Sequence, residues 1–261
     1  MKINIFRPTL QLMLVNQYIT YFIFVYFLFV GTWQEWLVAL AIYLFRVTIG
    51  ATITLHRLLS HKSFVSPKWF EYFGSIIATY GGGISTIGWV AIHRQHHRFS
   101  DTNKDPHSPQ HINPWTIQFR SDAPTPEVKY APDLLRSNFH LRIHQYHWAI
   151  TLIIFLIILL VDPRALLYVY FVPNFIYWHS GGSINTINHL WGYRNYNTDD
   201  YSVNNLFTGY LVAGEGWHNN HHNSPANPKF GEKWWEFDLG WQIIKLIRKD
   251  GSNKYNVEDT K

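Results

Sequence analysis

The sequence of 261 residues contains no cysteine. Disulfides, thiolate zinc sites and iron–sulfur clusters are therefore excluded. Charge is also scarce, at 15% of residues, and it is gathered between apolar blocks. Leu10 to Val30 is a run of 21 residues without a charge. No small-residue cleavage site follows it, since Thr32, Trp33, Gln34 and Glu35 come next, so it reads as a retained span rather than a cleaved signal. A net charge of +5 raises nucleic acid as a partner. No basic motif with interleaved aromatics accompanies it, and the expectation is no nucleic acid. Basic residues beside apolar runs fit the positive-inside rule and anionic lipid instead. The full ligand set of soluble di-iron bundles, a Glu on each of two helices and a Glu-x-x-His on each of two others, is missing as well.

Histidine, by contrast, is plentiful. His218, His221 and His222 stand at i, i+3 and i+4, and the same H-x-x-H-H pattern recurs at His93, His96 and His97. On a helix these offsets put all three rings within an arc of about 100°. His56 and His61 form a looser third box. Eight histidines in three boxes beside apolar runs point to a polynuclear metal centre rather than to surface or core histidines, and imidazole suits iron, zinc, copper and nickel. In an α-helix a five-residue offset turns about 140° away from alignment, so His56 and His61 are expected to serve different metals or to mark a helix end.

The apolar blocks give an all-α integral membrane protein, a single domain over 1–261. Four spans are expected, at about 10–30, 36–55, 144–161 and 166–184, with cytosolic segments 56–143 and 185–261 forming a helical cap. Arg46 interrupts the second span and calls for a protein partner or an interface. Residues 69–92, broken by Gly81, Gly82, Gly83 and Gly88, read as a re-entrant or interfacial helix pair, because a full crossing would separate the first two boxes. The basic stretch 98–146 reads equally as a solvated loop with a surface helix and as a cradle for a phosphate-bearing carrier. Within it His140, His144 and His147 are expected at an interface. The topology places both termini and the histidines on the cytosolic side of a bacterial inner membrane or endoplasmic reticulum.

The boxes HRLLSH, HRQHH and HNNHH, with RFSDTNKDPHSP after the second, NTINHLWGYR before the third and the string GEGWHNNHH, closely resemble the membrane fatty-acid desaturases of the Δ9, stearoyl-CoA-type branch. The likeness covers roughly residues 35 to 245. It implies a histidine-rich di-iron site with two iron ions, ligated by His56, His61, His93, His96, His97, His189, His218, His221 and His222, and through water by Asn185. It further implies oxygen-dependent insertion of a cis double bond, at Δ9, into an acyl chain carried by CoA or lipid. Electrons come from a separate cytochrome b5-like or ferredoxin-like donor, and O2 and membrane lipid complete the partners. Trp89 is a candidate wall of the acyl tunnel. Counting back from the first box, as in animal acyl-CoA members, makes Leu40 and Leu44 its floor. A histidine-box hydroxylase is the alternative. A metal transporter, a different class, would need ionisable residues through several spans, and here they gather on one side.

Overall fold

The computed structural model describes residues 6–81, 83–119 and 125–249. Among them the architecture is helical: α1 Phe6–Val30, α2 Trp33–Phe45, α3 Lys68–Thr79, α4 Thr86–Phe99, α5 Pro114–Phe119, α6 Pro132–Leu135, α7 Asn138–Val161, α8 Val172–Thr186, α9 Leu206–Leu211, α10 His218–Asn223 and α11 Leu239–Ile247. No strand is present among the described residues, only isolated bridges that pair Asn204 with Tyr193 and Trp217.

Helix α2 starts at a capping box. The Thr32 hydroxyl accepts from the Glu35 backbone while the Glu35 carboxylate accepts from the Thr32 backbone at 2.8 Å, which satisfies two otherwise open donors. It then continues without a break as a π-wound segment, Arg46–Ser60. The Thr54 and Ser60 hydroxyls follow that winding, each donating to a carbonyl five residues back, Ile49 at 2.7 Å and Leu55 at 2.8 Å. A π-helix repeats near five residues rather than 3.6. Every residue from Arg46 to Ser60 except Ala51 is buried.

Helices α3 and α4 form a hairpin against this segment. The chain turns at Tyr80 and Gly81, Ser85 caps α4 by accepting from Gly88 N at 3.2 Å, and α4 runs back toward the end of the π segment. The second histidine box is thereby returned to the first. Helix α8 is entered through a second π turn, Leu166–Phe171, and its end passes into a short 3₁₀ turn, Ile187–His189. Arg164, between α7 and that turn, donates to Glu35 at 2.6 Å, so the connections α1–α2 and α7–α8 meet at one end of the bundle.

Among the described residues, three helical stretches are long and apolar enough to cross a membrane: Gln11–Val30, Trp33–Ser60 and Asn138–Val161. In the first and third only 22% of the apolar window is buried by the protein itself. The remaining apolar surface, Phe29 and Leu160 among it, requires an apolar environment. The expected fourth span, 166–184, is not one of the three. Its π turn, Pro173, Asn174, His179 and the pair Gly181–Gly182 divide and dilute the apolar run.

Candidate metal centre

Each histidine box is carried by a different local device. His56 lies in the last turn of the π segment and His61 directly follows its end, where the His61 backbone N–H bonds the His56 carbonyl at 3.1 Å. The five-residue repeat aligns the two rings instead of splaying them, with centroids 4.9 Å apart. Of the two sequence-based expectations the helix end is met, since His61 follows the last π-wound residue, and that of different metals is corrected: His56 and His61 face the same place, because the helix is π-wound there. His93, His96 and His97 lie in the last turns of α4, as their spacing implied. His218, His221 and His222 occupy α10, which follows the turn Gly214-Glu215-Gly216. Gly214 has φ +103°, and a Cβ on it would lie 2.5 Å from Asp238 Oδ1. Glycine is required there to bring the chain close enough.

The nine histidines converge in two groups. His56, His61, His93, His97 and His221 form one, His96, His189, His218 and His222 the other, with ligand atoms in each group within 4.8 Å of one another. Between the groups the His97 and His222 rings lie 4.5 Å apart. Nε2 atoms face one another at 2.9 Å for His56 and His221, 2.7 Å for His61 and His93, 2.9 Å for His97 and His221, and 3.1 Å for His189 and His218.

Four carboxylates fix the rings from behind. Glu215 accepts from His56 Nδ1, Asp105 from His96 at 2.8 Å, Asp101 from His189 at 2.8 Å and Asp200 from His222 at 2.5 Å. With Nδ1–H engaged, a neutral imidazole presents its Nε2 lone pair, the arrangement that orients metal-ligating histidines. Inward lone pairs meeting at such distances repel unless a cation lies between them, so the donor set fits two metal ions. Arg57, 0% exposed, anchors this shell. It donates to the Pro228 carbonyl and to Asp238, lies 3.6 Å from Glu215, and covers the Phe230 ring at 3.8 Å.

Electrostatics point the same way. Desolvation, and then the neighbouring imidazoles, holds His61, His93, His97, His218 and His221 well below the usual histidine range. Burial brings His222 to about 4, although its bond to Asp200 opposes that. Such rings stay neutral at pH 7, the form that binds metal. Burial would raise Asp101 and Asp105, but hydrogen bonds from His189 and His96 outweigh it, and both carboxyls lie below their usual range.

A cavity of about 430 Å³ reaches this centre and is lined by His56, His93, His96 and His218 at one end and by Ala51, Leu55, Ile184 and Val212 along its walls. Trp89, expected as a wall, lines it and stacks on His93 at 4.9 Å. Asn185, half-buried, also lines it. Leu40 and Leu44 do not: each is 41% exposed on the outer face of α2. Counting back from His56 with α-helical geometry fails because the π segment intervenes and shifts the register. His140, His144 and His147, expected at an interface, are buried. His140 is 3.3 Å from Glu71, His144 bonds Ser85 at 2.6 Å, and His144 and His147 line the cavity.

Sequence reasoning did not pick out Asp101, Asp105, Asp200 and Glu215, nor His107. The latter is buried beside His96 at 4.5 Å, lines the cavity, and is lowered to about 3, chiefly by desolvation. Their available signal was the strings RFSDTNKDPHSP and GEGWHNNHH, which contain all of these except Asp200.

Comparison with known proteins accords with this geometry. The sequence profile of the family described as fatty acid desaturase matches residues 31–256. A sn-2 palmitoyl-lipid 9-desaturase of Nostoc sp. (strain 36) is 37% identical over 216 residues, which covers 79% of this chain and 76% of that one. An acyl-CoA C20 Delta5-desaturase of Anemone leveillei is 34% identical over 236 residues, 83% and 72% of the two chains. A sn-1 stearoyl-lipid 9-desaturase of Anabaena variabilis is 33% identical over 225 residues, 83% and 82%. With the profile spanning most of the sequence and including all three histidine boxes, the chain belongs to the fatty acid desaturase family.

Proposed function

We propose that this chain is an oxygen-dependent acyl desaturase that introduces a cis double bond, at the ninth carbon, into a saturated chain carried by lipid or CoA. The observation that carries this is the convergence of nine imidazoles, in groups of five and four, at the end of a largely apolar cavity. The ligands are His56, His61, His93, His97 and His221 for one iron and His96, His189, His218 and His222 for the other, with Asn185 beside the second through water. Iron is favoured over zinc because the reaction is a redox one. Bound iron would supply the means to reduce O2 to two waters, with two electrons from an external cytochrome b5-like or ferredoxin-like donor, two protons from solvent, and two hydrogens with their electrons from the substrate, which is left as the alkene.

The chain's own residues contribute placement and exclusion. Glu215, Asp105, Asp101 and Asp200 hold four imidazoles in the tautomer that binds metal. Trp89, fixed against His93, forms the wall along which the reacting methylenes lie. Leu55, Ile184 and Val212 keep that section dry, which protects a strong oxidant from side reactions. A single domain with four spans is supported by the Arg164–Glu35 link, which ties both connections at one end while the histidines occupy the other. In this topology both termini and the metal centre are cytosolic, in a bacterial inner membrane or endoplasmic reticulum.

The test is expression in a host unable to make unsaturated fatty acids, with lipid analysis by mass spectrometry and double-bond localisation. The expected product is a cis monoene at one carbon position. A hydroxylated chain, or no oxidised chain with the metal present, overturns the reading.

A further inference from the structure

Helix α9, Leu206–Leu211, lies between His189 and the third histidine box, in the stretch expected to belong wholly to the cytosolic cap. Its surroundings are those of the membrane helices instead. The Tyr43 hydroxyl of α2 donates to the Leu211 carbonyl at 2.8 Å. Leu211, Val212 and Ala213 pack with Tyr43 and Val47 of the second apolar stretch and with Ile176 and Tyr177 of α8. Ile176 in turn packs against Phe27, Ala39 and Val172.

Helix geometry gives the depth. Tyr43 stands ten residues after Trp33, the first residue of α2, which at 1.5 Å per residue is about 15 Å from the α1–α2 connection. That connection is at the end of the bundle opposite the histidines. A hydrocarbon core is about 30 Å thick, so the Leu211 carbonyl sits within the reach of one phenol side chain from its middle.

The orientation of α9 is fixed as well. On its inner side buried Thr208 donates to Asn188 Oδ1 at 2.8 Å, and a Cβ on Gly209 would lie 2.6 Å from Trp217, the residue before His218. Its outer side is therefore held outward, and it is apolar: Leu206, Phe207 and Tyr210 are exposed, Phe207 at 65%. Leu40 and Leu44, exposed on either side of Tyr43, continue that surface along α2. The Tyr210 hydroxyl donates to the Trp235 carbonyl, beside Trp234, which is 91% exposed, and Lys233 lies over the Trp235 ring at 5.3 Å. Tryptophan and lysine at the rim of an apolar patch suit the boundary between membrane and water.

We propose that residues 206–213 re-enter the bilayer from the histidine side, with the outer face of α9 against lipid acyl chains and Trp234 at the level of the head groups. In water this face would be a contiguous exposed apolar patch. The irregular backbone that follows α9 is tolerated at membrane depth because Val212 and Ala213 are buried in protein. Val212 also lines the cavity, so a single short segment separates the cavity from bilayer lipid and leads directly into the third histidine box. The inference concerns position in the membrane and stands independently of the reaction.

The chain contains no cysteine, so single cysteines in the full-length protein label cleanly. Leu206→Cys, Phe207→Cys and Trp234→Cys, each carrying bimane, are reconstituted in phosphatidylcholine vesicles and quenched by lipid brominated on its acyl chain or by aqueous iodide. Leu152→Cys on the exposed face of α7 is the hydrocarbon reference and Asn197→Cys the aqueous one. Labels at 206 and 207 are expected to match the one at 152, with several-fold more quenching by bromolipid and several-fold less by iodide than at 197. The label at 234 should respond most to bromine close to the head group. Iodide quenching at 206 and 207 equal to that at 197 overturns the proposal. Shielding from both quenchers overturns it too, because a second copy of the chain then covers the face. The unaltered chain gives a second reading that no substitution can spoil: phosphatidylcholine with a diazirine in the middle of its acyl chain should cross-link to the peptide containing Phe207. Cross-links on α7 with none on that peptide overturn the proposal.

Discussion

Replacing Glu215 by Gln changes one buried atom type and tests whether the carboxylates behind the histidines set metal affinity. Glu215 is 7% exposed, accepts from His56 Nδ1 and lies 3.6 Å from Arg57. The amide keeps the volume but removes the charge, and it can offer the imidazole an N–H where a lone pair is needed. His56 then loses the partner that fixes its tautomer and ring angle. Partners of this kind contribute about 10–100-fold in metal affinity, or roughly 1.4–2.7 kcal/mol. Arg57 retains Asp238 at 2.9 Å, so the fold should survive. The assay is competition with a chelator of known affinity, monitored as metal retained per chain in detergent. One of the two metals should be released at a chelator concentration about 10–100-fold lower than in the wild type. Glu71→Gln is the control, because Glu71 faces His140, outside both histidine groups, and should leave affinity unchanged. Equal metal retention in Glu215→Gln and the wild type would refute the reasoning, as would an equal loss in Glu71→Gln.

His97→Ala and His221→Ala should each abolish desaturation and lower iron content while the protein still inserts, measured by product analysis and elemental analysis of the same preparation. His140→Ala should keep both metals but melt at lower temperature by about 1–3 kcal/mol of stability, since it leaves Glu71 with one partner fewer in a half-buried position. For pH, the folded-state values of His61, His93, His97, His218, His221 and His222 all lie below the usual 6.5. As pH falls through about 6.5 the unfolded chain takes up protons that the folded chain refuses, so stability is present above that pH and is lost below it. The melting temperature of the metal-free protein should fall between pH 7 and 5, and a flat or rising profile would count against neutral, buried rings. For topology, cysteines at Thr32 and Arg164 should label from the same, non-cytosolic side and one at Asn197 from the other; labelling of all three from one side rejects the four-span arrangement.

The histidine boxes on α4 and α10 were legible because i, i+3 and i+4 define one face of any α-helix. His56 and His61 were legible as a pair but not as neighbours, since a π-wound segment cannot be distinguished from an α-helix by apolar periodicity, and the five-residue offset makes sense only once the winding is known. The same winding displaced Leu40 and Leu44 from the cavity. Asp101, Asp105, Asp200 and Glu215 act through single hydrogen bonds across 9 to 159 residues of sequence, and no spacing rule announces such partners. His140, His144 and His147 read as interfacial from their place at the start of an apolar run, whereas the α3–α4 hairpin covers them. Arg46 was conspicuous as a charge in a span, but its neutral partners, Asn174 and the Tyr80 carbonyl, come from parts of the chain that only the fold brings together.

The most direct measurement of the central claim is the metal content of the purified full chain, by elemental analysis, alongside desaturation by the same sample. Two irons per chain, falling in step with activity when His221 or His218 is replaced, is the result this account expects. A chain that desaturates with one iron or none, or that holds both irons after either replacement, would contradict it.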